Sequence, residues 1–285
     1  MPPLIDGAME LGAATFVDTH AHLDDPAFDP DRELVIDHAV QTGVAMVVNI
    51  GYRPSRWITT SALAATSARV TAVLGLHPQH ADEFTPGTCD ELERSITLAG
   101  AGAVGEIGLD YFRNGPQPAV QRHAFEQQLL LAERLSLPVV IHLRAAEADC
   151  LAILRGAPPS LRIVLHSFEG SETLAEWALD HRHFFGVGGL MTRPGSKQLR
   201  AILAGLPLER LILETDSPYL VPARTKERRN VPANIPVIAR HLADLRGTDV
   251  GTIASATTLS AVAALGLAVP PLPHQSRVMD RAALP

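Results

Sequence analysis

The chain has 285 residues, 46% of them hydrophobic and 19% charged, with a net charge of −7; that length supports one large core or two modest ones. The acidic balance excludes a global basic field, so any grip on nucleic acid must use a local patch. Cys89 and Cys150 stand alone, which excludes a disulfide framework; no apolar run approaches the roughly 20 residues of a membrane span, residues 1–14 lack the pattern of a signal peptide, and the expected compartment is the cytoplasm.

Residues 1–13 read as an N-terminal extension. Continuous apolar runs then follow at 14–17, 44–50, 70–76, 103–107, 137–141, 162–165, 184–187 and 210–213. Unbroken Val/Ile/Leu without alternation is what parallel strands covered on both faces require. Between the runs, residues 31–41, 117–135, 172–181 and 196–204 show helical spacing, for example Phe125, Leu129 and Ala132 with charged residues between. Strand and helix alternating roughly eight times predicts an α/β fold, a (β/α)8 TIM barrel, over 14–267. A doubly wound open sheet is the alternative and fits less well, because no G-x-G-x-x-G follows the first run. Residues 232–246 read as the last barrel helix, with Pro232 near its start, and 249–267 as an extra C-terminal helix. Pro270-Pro271-Leu272-Pro273 ends it, and 268–285 reads as a mobile tail.

In such barrels chemistry sits at the C-terminal ends of the strands. The first run ends in Asp18-Thr19-His20-Ala21-His22; in a strand alternate side chains share a face, so His20 and His22 should point together, with Asp18 beside them. The later runs end in Asn49, in His77, in Glu106 then Asp110, in His142 with Arg144 two residues on, in His166, in Gly188-Gly189, and in Glu214 with Asp216. Five of the 12 histidines fall at these ends. Each residue has a bland explanation: Glu106 as an ion-pair partner, Asp216 as a turn residue before Pro218, His142 and His166 as satisfied core histidines. The joint pattern does not. Imidazoles and carboxylates bind borderline divalent metals, and His20, His22, Glu106, His142, His166 and Asp216 are too many for one catalytic ion with an open position. They suit two divalent cations (Zn, Mn or Mg) roughly 3.5–4 Å apart, bridged by Glu106, with a shared water made nucleophilic by its lowered pKa. Asp216 would bind metal and take a proton from that water, which makes Asp216 and Glu106 the catalytic pair. For His77, substrate contact and packing are evenly matched readings.

Together, Asp18-Thr19-His20-Ala21-His22-Leu23-Asp24, Gly75-Leu76-His77-Pro78, Gly105-Glu106-Ile107-Gly108-Leu109-Asp110-Tyr111, His142-Leu143-Arg144, His166-Ser167-Phe168 and Glu214-Thr215-Asp216-Ser217-Pro218-Tyr219-Leu220 resemble the TatD family of metal-dependent hydrolases. The resemblance implies a TIM barrel of the amidohydrolase superfamily and a two-metal deoxyribonuclease. It also implies that His20, His22, Glu106 and Asp216 hold one ion, that Glu106, His142 and His166 hold the other, and that His77 faces substrate. The chain departs from the pattern at Gln79, where the family often has His, with His80 one residue later, and at Ser260, where Asn is common. Related amidohydrolases bridge their metals with a carboxylated lysine, but Lys197 and Lys226, the chain's two lysines, lie at no strand end, so the bridge must be a carboxylate.

Phosphodiester cleavage needs positive charge beside the phosphate oxygens. Arg144 lies at a strand end, Arg193 follows the seventh run, and Arg224, Lys226, Arg228 and Arg229 crowd the loop after Asp216. His77, Arg144, Arg228 and Arg229 are the expected substrate contacts, and Tyr111, Phe112, Phe168 and Tyr219 the aromatic candidates for base stacking. So few aromatics suit a single strand or a chain end of DNA. The expected function is a nuclease trimming single-stranded DNA ends; the alternatives are a two-metal amide or ester hydrolase acting on aminoacyl-tRNA or a small molecule, and a non-catalytic binding barrel.

Overall fold

The eight apolar runs become eight parallel strands: β1 (Phe16–Ala21), β2 (Val44–Gly51), β3 (Val70–Leu74), β4 (Val104–Asp110), β5 (Val139–Arg144), β6 (Ile163–Leu165), β7 (Phe184–Val187) and β8 (Leu211–Leu213). They pair in chain order. β8 returns to β1 through the residues that follow it: the Asp216 N–H donates to the His20 carbonyl at 2.8 Å and the His22 N–H to the Ser217 carbonyl at 2.7 Å. The result is the expected (β/α)8 barrel. The structure, a computed structural model, describes residues 14–273 apart from 224, 226 and 227. The readings made for residues 1–13, Arg224, Lys226 and the tail beyond 273 lie outside the described residues.

Between the strands run α1 (Arg32–Gln41), α2 (Pro54–Thr66), α3 (Thr88–Ala99), α4 (Pro118–Leu135), α5 (Glu147–Arg155), α6 (Glu172–Asp180), α7 (Lys197–Gly205) and α8 (Ile235–Arg246). Proline opens α2, α4 and α8, where its missing N–H costs nothing and its φ suits the first turn. Pro232 lies in a separate short 3-10 turn, so the last barrel helix starts later than the sequence suggests. Among the described residues no helix is long and apolar enough to cross a membrane.

The strands separate two apolar layers. Val17, Met46, Val48, Ile50, Val73, Ala103, Val140, Val164, Phe184 and Ile212 form a cluster with few helical members, which is the barrel lumen. Their neighbours Val47, Leu74, Ile107, Ile141, Leu165, Val187 and Leu213 join the helices in a second, outer cluster. This double burial is why the runs show no alternation.

The extra helix has a specific place. α9 (Val250–Leu265) contributes Ala261, Ala264 and Leu265 to the lumen cluster, so it closes the N-terminal mouth of the barrel. The Thr258 hydroxyl donates to the Thr15 carbonyl at 2.8 Å, and Arg162 Nη1 to the Ala263 carbonyl at 2.9 Å. Ser260, the departure from the family pattern, donates to the Ala256 carbonyl at 2.9 Å and the Leu208 carbonyl at 3.3 Å, joining α9 to the approach to β8. The helix stops two residues short of the expected end because Gly266 takes a left-handed φ of 66° and caps it.

At the opposite mouth the strands run further than their apolar residues predict. β1 continues through Asp18 and His20, β4 to Asp110 and β5 to Arg144. Those polar residues can stay in the sheet because neighbouring loops and side chains satisfy them, as the closure onto Asp216 and Ser217 shows.

Candidate metal centre

Glu106 occupies the middle of a cluster at the C-terminal mouth. His142 Nδ1 lies 2.6 Å from its Oε1, with His166 Nε2 and His77 Nε2 each at 3.8 Å, and His20 Nε2 lies 3.5 Å from its Oε2. Asp216 Oδ1 lies 3.3 Å from His22 Nε2 and 3.9 Å from both His20 Nε2 and His166 Nε2. All six residues expected to bind metal therefore meet. Three overlapping groups have ligand atoms close enough to share an ion: His20, His22 and Asp216; His20, Glu106 and His166; His77, Glu106 and His142.

Neighbouring groups set the orientation of each ring. His22 Nδ1 faces the Ile50 carbonyl at 3.3 Å, which can only accept, so this nitrogen carries a proton and Nε2 turns toward Asp216. His166 Nδ1 lies 3.0 Å from Glu214 Oε1, angled away from an ideal hydrogen bond, and Nε2 turns toward Glu106 and Asp216. His142 Nε2 faces Asp110 Oδ2 at 3.3 Å. Asp110 is itself fixed by the N–H groups of Phe112 and Arg113 at 3.0 and 3.1 Å. His77 is set the other way. Its Nδ1 accepts from the Gln79 N–H at 3.0 Å, which leaves the proton of the neutral ring on Nε2. His77 thus presents a donor to the cluster, whereas His22 and His166 turn toward it an Nε2 that can give its lone pair to a cation in place of a proton.

The electrostatics ask for positive charge. Burial alone would raise the Glu106 carboxyl, but the imidazoles of His142, His77, His166 and His20 outweigh it and hold the group well below its usual range. Burial likewise opposes charge on His142 and His166; Glu106 and Asp110 nevertheless lift His142 to about 9, and Glu214 and Glu106 lift His166 to about 10. His77, with burial and His142 both against it, falls to about 3 and is neutral. Both ring nitrogens of His20 are buried without a hydrogen-bond partner among the described residues, a loss of about 1–3 kcal/mol for each group left unpaired. Imidazole nitrogens that need a proton to face carboxylates, and an orphaned imidazole, are what a bound divalent cation corrects, so these residues fit a metal centre.

Asp18 does not join the cluster. The β1–β2 register shifts after it, and its carboxylate accepts from the Thr215 N–H at 2.9 Å and hydroxyl at 2.6 Å. It fastens β1 to the segment that carries Asp216. Asn49 is also structural, donating to Asp24 at 3.0 Å and Thr60 at 2.8 Å. Asp110 and Glu214 have roles that strand-end position alone did not assign: they hold His142 and His166. The signal available was spacing, since Glu214 precedes Asp216 by two and Asp110 follows Glu106 in the same strand. Gly186 serves the same purpose, because a Cβ there would lie 2.3 Å from Glu214 Oε2.

A cavity of about 490 Å³ opens over the cluster. Arg113, Arg144 and Arg193 line it, with Tyr52, His80 and Tyr219. The Arg144 guanidinium lies 4.0 Å from the ring centre of Phe112, itself 66% exposed. Tyr52 and Arg113 were not singled out from the sequence; Tyr52 directly follows the end of β2, and Arg113 follows the end of β4 by three residues. Arg229 departs from expectation. It forms a two-pronged pair with Asp31 at 3.0 and 2.8 Å, lies over Phe28 at 4.4 Å and donates to the Ala27 carbonyl. Arg229 thus ties its loop to the segment before α1, and the partner was invisible because it lies nearly two hundred residues away. Arg228 is exposed, and neither it nor Arg229 lines the cavity. Of the aromatic candidates, Tyr219 lines the cavity. Tyr111 instead donates to Asp149 at 2.7 Å, and Phe168 packs against Phe185 at 5.0 Å.

The model of the TatD related DNase family matches residues 17–266. The chain belongs to the TatD family. A protein of Erwinia amylovora named 3'-5' ssDNA/RNA exonuclease TatD is 36% identical over 88% of this chain and 99% of its own. An uncharacterized metal-dependent hydrolase TatD of Mycobacterium tuberculosis is 35% identical over 88% and 98%. The crystal structure of the TatD homologue YjjV of Escherichia coli superposes with a TM-score of 0.83 at 31% identity, covering 89% of this chain and 99% of that one. Membership accounts for the barrel, and it agrees with the resemblance carried by the six ordered motifs.

Proposed function

We propose that this TatD-family chain is a metal-dependent nuclease that removes nucleotides from the 3' end of single-stranded DNA. The observation that carries the reading is Glu106, whose two oxygens face four imidazoles beneath a cavity with three arginines. In this reading two divalent cations, Zn, Mn or Mg, share Glu106. His20, His22 and Asp216 complete one set of ligands, and His142 and His166 the other. When bound, such ions neutralise the phosphate oxygens and lower the pKa of water.

The chain's own groups supply the rest. Asp216, held below its ordinary pKa despite burial by His22 and His166, is ionised and placed to accept a proton. His77 keeps its Nε2 proton over the cavity and donates to a phosphate oxygen, a role that its neutral state and its bond from Gln79 both favour. Arg113, Arg144 and Arg193 take the phosphates of the strand, with exposed Arg228 as a more distant contact. Tyr219, 51% exposed, offers a stacking face. The three arginines stand on the cavity wall rather than along an extended track, which suits a chain end over a long duplex. The direction is that in the name of the Erwinia relative.

The test is metal-reconstituted protein offered 5'-labelled single-stranded DNA, duplex DNA, RNA and aminoacyl-tRNA, with an EDTA control. The expected result is stepwise shortening of single-stranded DNA that EDTA abolishes, with KM raised several-fold by Arg144→Ala. Release of amino acid from the tRNA with every nucleic acid left at full length would replace this reading with an ester hydrolase.

A further inference from the structure

A second cavity, of about 380 Å³, lies beside the first, within the ~300–1,000 Å³ usual for small-molecule sites. It is on the helix side of the barrel wall. Ile141 and Leu165, its floor, belong to the outer apolar layer, and Phe168 and Leu174 complete its apolar lining. The two cavities share Leu143, His166, Ser167 and Glu169, so a ligand can have one part over the metal cluster and another in this recess.

The two cavities differ in charge. Arg113, Arg144 and Arg193 line the first, and no described arginine or lysine lines the second. Besides His166, which it shares with the metal cluster, the charged groups of the second are Glu147, at the start of α5, and Glu169, in the loop after β6 and common to both cavities. Neither carboxylate has an ion-pair or hydrogen-bond partner among the described residues, and Glu169 is exposed. An ionised carboxylate only accepts hydrogen bonds. A phosphate belongs in the first cavity and is repelled from the second. What the second suits is a largely apolar group with N–H donors on its edge. The backbone on both sides of the recess is held in the left-handed region, at Ala145 (φ 54°) and Ser167 (φ 46°), conformations that non-glycine residues keep only where surrounding structure imposes them.

We propose that this recess is the base subsite, taking the terminal base through an N–H-bearing edge, so that guanine, adenine and cytosine are accepted ahead of thymine and uracil. The inference rests on the nuclease reading above. Guanine, adenine and cytosine carry an exocyclic amino group that can donate to Glu147 or Glu169, as carboxylates accept from cytosine N4 in DNA recognition. Thymine and uracil instead turn carbonyl oxygens toward the carboxylates on both sides of their single ring N–H. The mouth is open to water at Glu169, which moderates the discrimination to about tenfold.

Two measurements on the metal-loaded protein test this. The first is trimming of 5'-labelled single strands that differ only in the 3'-terminal base; the second is calorimetric binding of dGMP and dTMP. Both should favour the amino-bearing base by about tenfold. In the Glu147→Gln/Glu169→Gln variant the preference should fall to within about twofold, since an amide both donates and accepts, with metal content per chain unchanged. Equal trimming of all four termini together with equal nucleotide binding overturns the base subsite and leaves the nuclease standing. A preference that survives in the double variant also overturns it. Selective dGMP binding without trimming of any strand would support the subsite and sink the nuclease.

Discussion

The two mouths of the barrel are built from the same eight strands and opposite chemistry. At the N-terminal mouth, Ala261, Ala264 and Leu265 of α9 pack on the apolar lumen, and the polar groups nearby are paired, as Thr258 is with Thr15. At the C-terminal mouth His20, His22, Glu106, His166 and Glu214 are buried, and among the described residues His20 has no hydrogen-bond partner on either nitrogen. One end is a closed core; the other is a cluster of buried imidazoles and carboxylates that the chain's own pairings only partly satisfy. Stability is therefore concentrated at one end and chemistry at the other.

The largest expected break of that contrast is Glu106→Ala, which removes the group shared by four imidazoles. Metal content should collapse and strand trimming fall by about 10³-fold or more; near-full metal by elemental analysis would reject Glu106 as the shared ligand. At the other mouth, Leu265→Ala, from a side chain 2% exposed, should cost about 2–5 kcal/mol. It should lower Tm while leaving metal per chain unchanged; loss of metal there would show the two mouths to be coupled. Glu214→Gln keeps the size of the group and weakens its hold on His166. Metal affinity should drop about 10–100-fold, read by titration with a chelating indicator, and an unchanged affinity would assign Glu214 to packing alone.

The last expected effect is one of pH on the metal-free chain. Despite burial, carboxylates lift His142 to about 9 and His166 to about 10, above an ordinary 6.5. A folded pKa above the unfolded one stabilises fully below pH 6.5, and that stability is lost as pH rises through 9 and 10. The EDTA-treated protein should accordingly lose Tm between pH 6.5 and 10 more steeply than the metal-loaded one, where the cation replaces the protons. Parallel Tm profiles would show that these two rings do not carry the charge.

Legibility follows the same division. The double layer of Val, Ile and Leu was readable because burial on both faces leaves no room for alternation, and α9 was readable as a charge-free stretch between Asp249 and the prolines at 270 and 271. The six clustered side chains, Glu106 among them, were readable because a barrel brings strand ends together, so residues at the ends of β1, β4, β5, β6 and β8 become neighbours wherever they lie in the chain. Arg229 was not readable in this way. Its position after Asp216 suggested substrate, but Asp31 and Phe28 sit where the folded loop brings it. Asp18 shares the His-x-His segment, yet the register shift after it turns its carboxylate to Thr215.

By itself, then, the sequence determined the barrel, the family and the identity of the clustered groups, because those depend on periodicity and on residue type at strand ends. The tertiary structure decided which imidazole offers a lone pair and which a proton. It also decided which arginines face the cavity, and that a second recess with unpaired carboxylates lies beside His166. Those properties depend on partners distant in the chain, such as Ile50 for His22, Glu214 for His166 and Asp31 for Arg229. A hydrogen bond or ion pair is specified by distance and direction in space, and residue order carries neither.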